Sequence, residues 1–96
     1  MRTVTKKAIQ NFNASKNFVS VNTKVVVMDD VTLLLLFDNI IAYKFNDGKI
    51  KISNCGYFTN TTKERLNALD GVNIYQKNFN WYLNGEKWDG KLIEIA

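Results

Sequence analysis

The sequence predicts one small α+β domain, a mostly antiparallel sheet with two helices in the order α-β-β-β-β-α-β-β. Three observations lead there. First, the 96 residues suit a single domain, which at this size hides roughly 60–65% of its unfolded surface. Second, short Val-, Ile- and Leu-rich runs alternate with Asn, Asp and Gly turns from Thr23 to Ser53 and again after Val72. Third, two stretches around Ile9 and Leu66 combine helical spacing with capping residues. No linker, repeat or low-complexity block interrupts residues 1–96.

The elements follow in order. Thr5 is placed as the N-cap of a first helix running from Lys6 to about Ala14, with Val4 and Ile9 as its hydrophobic staple. Ala8, Ile9 and Phe12 share one buried stripe, and Asn13 to Asn17 reads as a turn. Thr23 to Met28 is a Val-rich strand closed by Asp29-Asp30. Val31 to Phe37 is apolar on both faces and therefore central. Asp38-Asn39 is read as a tight turn, and Ile40 to Phe45 follows. Asn46-Asp47-Gly48 turns the chain into Lys49 to Ser53, with Ile50 and Ile52 inward. Four strands joined this way make an antiparallel meander. Thr61-Thr62-Lys63-Glu64 fits a capping box for the second helix, with Thr61 as N-cap and Glu64 reaching back. Leu66 and Leu69 face inward, Gly71 supplies a left-handed C′ residue and Val72 returns onto Leu66. Val72 to Lys77 and Asn80 to Leu83 are strands. Asn84-Gly85 signals a hairpin into Glu86-Lys87-Trp88, and Lys91 to Ile95 adds a short final strand.

Composition narrows the chemistry. The chain has no His, no Pro and one Cys. A single Cys without His cannot assemble a zinc site, a Ser–His or Cys–His nucleophile or an internal disulfide. Asp29, Asp30 and Asp38 sit in turns at opposite ends of one strand, so no joint metal site is expected. Cys55 beside Gly56 reads as a small buried hydrophobe. The expectation is a non-enzymatic chain with no cofactor and no metal. Thirteen Lys and Arg against nine Asp and Glu give +4 and a pI near 9.3. Eleven of the basic residues are Lys, and thirteen Asn accompany them. An AT-rich coding sequence explains that bias as readily as attraction to a polyanion does. No secretory signal is visible, and Asp29, Asp30 and Asp38 interrupt the most apolar window, so no membrane span is expected. The chain reads as soluble and intracellular.

Two candidate sites stand out. Thr61, Thr62, Lys63 and Arg65 place hydroxyls, free backbone N–H groups and positive charge at a helix start, which suits a phosphate. A self-satisfied capping box is the plainer account. Seven of the twelve aromatics lie from Tyr57 onward. Among them Tyr82 and Trp88, interleaved with Lys77, Lys87 and Lys91, could stack bases or could fill a small core. Phe79, in the turn Lys77-Asn78-Phe79-Asn80, has little core to enter and reads, with Lys77, as a partner anchor. Packing onto a neighbouring helix explains it equally.

The segments Thr61-Thr62-Lys63-Glu64-Arg65-Leu66-Asn67-Ala68-Leu69 and Trp81-Tyr82-Leu83-Asn84-Gly85-Glu86-Lys87-Trp88-Asp89-Gly90 resemble a family of small, functionally uncharacterised proteins encoded by bacteriophages and prophages. Thr3-Val4-Thr5-Lys6 and Gly56-Tyr57-Phe58-Thr59 fit the same pattern, so the likeness covers most of the chain. It implies work in the cytoplasm of a bacterial host and assigns no catalytic residue. Two functional readings follow. One is binding of an anionic ligand, nucleic acid or a nucleotide-type molecule, in host takeover or counter-defence. The alternative is an inhibitor or adaptor that docks on a host or phage protein through the C-terminal hairpin. Oligomeric state is not legible, and a homodimer fits either reading.

Overall fold

The structure is a computed structural model and describes residues 2–95. Its elements are α1 (Thr3–Asn13), β1 (Phe18–Val19), β2 (Thr23–Val27), β3 (Val31–Leu36), β4 (Asn39–Phe45), β5 (Ile50–Ile52), α2 (Asn60–Asn67), β6 (Ile74–Lys77), β7 (Asn80–Leu83), β8 (Glu86–Lys87) and β9 (Ile93–Glu94). The α+β class and the two helices stand as the sequence predicts. The order is α-β-β-β-β-β-α-β-β-β-β, one early strand and two late strands longer than the eight-element order.

The strands divide into two antiparallel sheets. The larger has the order β1-β2-β3-β4-β5-β9, the smaller β6-β7-β8. The chain thus leaves the large sheet after β5, builds α2 and the small sheet, and returns to pair Lys51 with Glu94 and Ile52 with Ile93. One continuous core joins both sheets and both helices. Phe12 and Ala8 of α1, Val25, Leu34 and Ile52 of the large sheet, Leu66 of α2 and Trp81 of the small sheet are all buried within it. Alternation along β3 explains part of this. Leu34 and Leu36 enter the core while Leu33 lies on the opposite face beside Tyr43.

A register shift between Leu34 and Leu35 leaves Ile41 as an extra residue in β4. Such a bulge re-aims side chains. Here it accounts for two consecutive buried residues, Ile41 and Ala42, in β4.

Several local expectations shift. The first helix begins at Thr3, with Arg2 in the cap position and no side-chain cap. Thr5 lies inside the helix and is buried, because its hydroxyl bonds Glu64 at 2.7 Å. The helix end is closed instead by Lys44, whose ammonium donates to the Asn13 carbonyl at 2.7 Å. A cation there also complements the helix dipole, and burial lowers the Lys44 pKa from its ordinary value. The β3–β4 hairpin turn sits on Phe37-Asp38, at φ +50° and +64°, one residue before the predicted Asp38-Asn39. Leu36 and Asn39 pair directly across it. The second helix is capped by Thr59, whose hydroxyl accepts from the Thr62 N–H at 3.2 Å. The Thr61–Glu64 capping box does not form, because Glu64 turns away to Arg65 and Thr5. The helix closes at Asn67 with Ala68 as C-cap, so Gly71 (φ +79°) serves the following turn rather than the helix end. Cys55 is exposed at φ +54° and its thiol donates to the Ile40 carbonyl. It is a turn residue, not a core hydrophobe.

Candidate functional site

The start of α2 does not present its charge outward. Arg65 is 0% exposed. Its Nε donates to the Thr23 hydroxyl at 3.1 Å and its Nη1 to the Thr5 hydroxyl at 2.6 Å. Nη1 also pairs with Glu64, whose other carboxylate oxygen lies 3.6 Å from Arg2 Nε. The guanidinium therefore ties α1, β2 and α2 together from inside. Burial lowers the Arg65 pKa, and the Glu64 carboxylate opposes that shift. Burial also pushes the Glu64 carboxyl up, but the Thr5 hydroxyl with the charges of Arg2 and Arg65 outweighs it, leaving the carboxyl below its ordinary value.

The other predicted ligand residues are scattered. Thr62 is buried, its hydroxyl 2.9 Å from that of Thr59. Thr61 is half-buried. Lys63 leans away from the helix start, 3.5 Å from Gln76 Oε1 and 5.8 Å above the Trp81 ring. Trp88 is buried, with its indole N–H donating to the Lys91 carbonyl at 3.0 Å. Tyr82 stays at the surface, stacked on Tyr75 with ring centres 5.3 Å apart. The two indoles are thus core residues, as Trp81 and Trp88 approach within 6.3 Å of each other in the interior. No phosphate-sized constellation of Thr61, Thr62, Lys63 and Arg65 is assembled, because the one bidentate donor points inward.

The structure instead brings Lys77 and Phe79 together at an exposed tip. The β6–β7 hairpin pairs Lys77 with Asn80 and crosses through Asn78-Phe79 at φ +52° and +67°. Both central residues of such a turn need positive φ, which is why Asn-Gly is preferred there. The neighbouring β7–β8 turn obeys this with Asn84-Gly85 at +51° and +91°. At the first turn a phenylalanine occupies the glycine position, 96% exposed. A bulky L-residue in that region costs about 1–2 kcal/mol. Phe79 rims a groove of about 290 Å³ whose walls include Phe58, Trp81 and Lys87, with Phe58 packed edge-on against Trp81 at 5.0 Å. Phe37, at φ +50° and 66% exposed, is a second ring on a hairpin tip. Sequence reasoning missed it because it reads as the last residue of an apolar strand.

A family model described as Kyanoviridae Gp96 protein matches residues 1–94. The chain belongs to the Kyanoviridae Gp96 family. This is a phage family, in keeping with the resemblance carried by the α2 and C-terminal hairpin segments. No curated protein and no solved structure matches the chain. Among the described residues of this Kyanoviridae Gp96 member, no helix is long and apolar enough to cross a membrane.

Proposed function

We propose that the chain is a non-enzymatic docking protein of the infected bacterial cytoplasm. It seats Phe79 in an apolar pocket of a host or phage protein, and Lys77 meets an acidic rim beside that pocket. The observation that carries this reading is the fully exposed phenylalanine in a left-handed backbone position. Asn-Gly serves that geometry without strain one hairpin later. Strain of this kind concentrates where a side chain must be presented, and exposed aromatics dominate binding at protein interfaces. The groove beside the tip gives the partner an apolar surface to close upon.

The test is affinity capture from infected-cell lysate with the wild-type chain and Phe79→Gly, each with and without nuclease. The expected result is a protein partner retained after nuclease and lost with Phe79→Gly, while the variant stays folded. Equal capture by both chains would overturn the reading.

A second reading keeps the polyanion. The Tyr75–Tyr82 pair shares the outer face of the small sheet with Lys77 and Lys87, by the register Tyr75–Tyr82–Lys87. Bases stack on such rings while lysines meet phosphates. Nuclease-sensitive capture that weakens with salt and with Tyr82→Ala would favour it.

A further inference from the structure

The six-stranded sheet has its core on one face only. The helices and the small sheet pack with Val25, Leu34 and Ile52, whereas Leu33 and the side chains around it on the opposite face take no part in that core. The register carries this opposite face across the sheet. Val26 pairs with Leu33, Leu33 with Tyr43, Tyr43 with Lys51 and Lys51 with Glu94, and directly paired residues share a face. Leu35 and Phe45, two residues further along β3 and β4, lie on it too.

The centre of this face is apolar. Leu33 is 8% exposed without belonging to the core, because the side chains beside it shield it. Tyr43 and Phe45 stack there with their rings 7° from parallel. The face of an antiparallel sheet that meets water normally alternates to polar residues, but β3 carries valine or leucine at each of its positions here, Val31, Leu33 and Leu35. Charge is confined to the two sides. Lys24, opposite Leu35, stands on β2 with its ammonium 3.0 Å from Asp38. Lys51 and Glu94 stand on β5 and β9.

We propose that this face is covered by the same face of a second copy of the chain, two sheets stacked about 10 Å apart. The charges choose the arrangement. A twofold axis parallel to the strands, between β3 and β4, lays β9 of one copy over the β1–β2 side of the other. Glu94 then approaches the partner's Lys24 at both sides, and Leu33 meets the partner's Tyr43 at the centre. An axis across the strands lays each side on its own kind, Lys24 towards Lys24 and Glu94 towards Glu94. Area sets the strength. Strands about 4.8 Å apart, with about 3.3 Å per residue, give a face of roughly 400 Å² from the six strands. A standard interface takes about 800 Å² from each partner, so this dimer is a weak one that forms with concentration.

The test is sedimentation equilibrium of the full chain from micromolar to millimolar concentration. The expected result is a monomer–dimer equilibrium, with intermolecular nuclear Overhauser contacts between Leu33 and Tyr43 in a mixture of labelled and unlabelled chains. Val26→Lys changes a residue that is 37% exposed. It should weaken the dimer at least about tenfold, because it buries an unpaired charge, while the circular dichroism of the monomer stays as it was. Phe79→Gly leaves the dimer unchanged, which separates this face from the docking tip. Lys24→Glu and Glu94→Lys should each weaken the dimer alone. An equimolar mixture of the two should restore it, since opposite charges then meet at both sides. A chain that stays monomeric at every concentration overturns the proposal, whether another protein or a lipid surface then proves to cover the face. A dimer that withstands Val26→Lys, or whose two charge variants fail to rescue each other, overturns it as well.

Discussion

At the scale of single residues, Arg65 governs what the chain tolerates. Its charge is wholly enclosed, two of its bonds cross between elements, to Thr5 and Thr23, and a third pairs it with its neighbour Glu64. Removing one member of a buried pair strands the others, which costs roughly 3–5 kcal/mol, whereas an apolar side chain of similar volume often costs little. Arg65→Ala should therefore lose about 3–5 kcal/mol in urea unfolding, and Arg65→Met much less. Equal losses would mean that volume, not the charge network, is what Arg65 contributes. Glu64 adds a pH dependence. Its folded pKa is below the unfolded value near 4.5, so its contribution is complete above that value and is lost as pH falls through the lower folded one. Glu64→Gln should lower stability at neutral pH and flatten the acid limb of the stability curve. This network was not legible in advance, because an arginine on a helix is by default solvent-exposed. The sequence carries only a faint mark of it, in that Arg65 is one of two arginines beside eleven lysines.

At the scale of elements, the local turn chemistry was readable and its exact placement less so. Asn84-Gly85 makes the hairpin its residue types imply. The strand runs beginning at Thr23 and Val31 fall within a residue of their predicted ends, since period-two alternation and Asp turns are properties of neighbouring residues. The start of α2 slipped by two residues because four hydroxyl or amide residues, Thr59 to Thr62, all qualify as caps, and only tertiary packing decides which one turns inward. Thr62 is the one buried, which leaves Thr59 to cap. Thr59→Ala should cost about 1 kcal/mol and Thr61→Ala almost nothing in the same melts. The reverse ranking would restore the Thr61 cap. The β6–β7 turn makes the opposite kind of prediction. Phe79→Gly relieves a strained backbone and should stabilise the fold by about 1 kcal/mol, while it removes the proposed partner anchor. Gain of stability with loss of capture is the signature of a residue kept for binding. A loss of stability would mean that the ring packs onto its own sheet.

At the scale of the whole molecule, the question is whether two sheets make one folding unit. Their separation could not be read from the sequence. Which strands pair is settled by contacts far apart in the chain, and β9 reaches β5 only after α2 and the small sheet have intervened. Two features argue for one unit. The core is continuous from Phe12 through Leu66 to Trp81, and Gly90 locks the C-terminal strap to Asn54 through a backbone bond at 3.0 Å. The tryptophans allow a direct measurement, because Trp81 belongs to β7 and Trp88 directly follows β8, so indole fluorescence reports on the small sheet alone. Far-UV circular dichroism is dominated by the helices and the six-stranded sheet. In urea the two signals should give one midpoint, as a cooperative domain of this size requires. Gly90→Ala, which drives a Cβ to 2.1 Å from Asn54 Oδ1 at φ +86°, should shift both midpoints down together by at least about 2 kcal/mol of stability. If fluorescence moves first and dichroism stays, the small sheet with its Phe79 tip is a separable module.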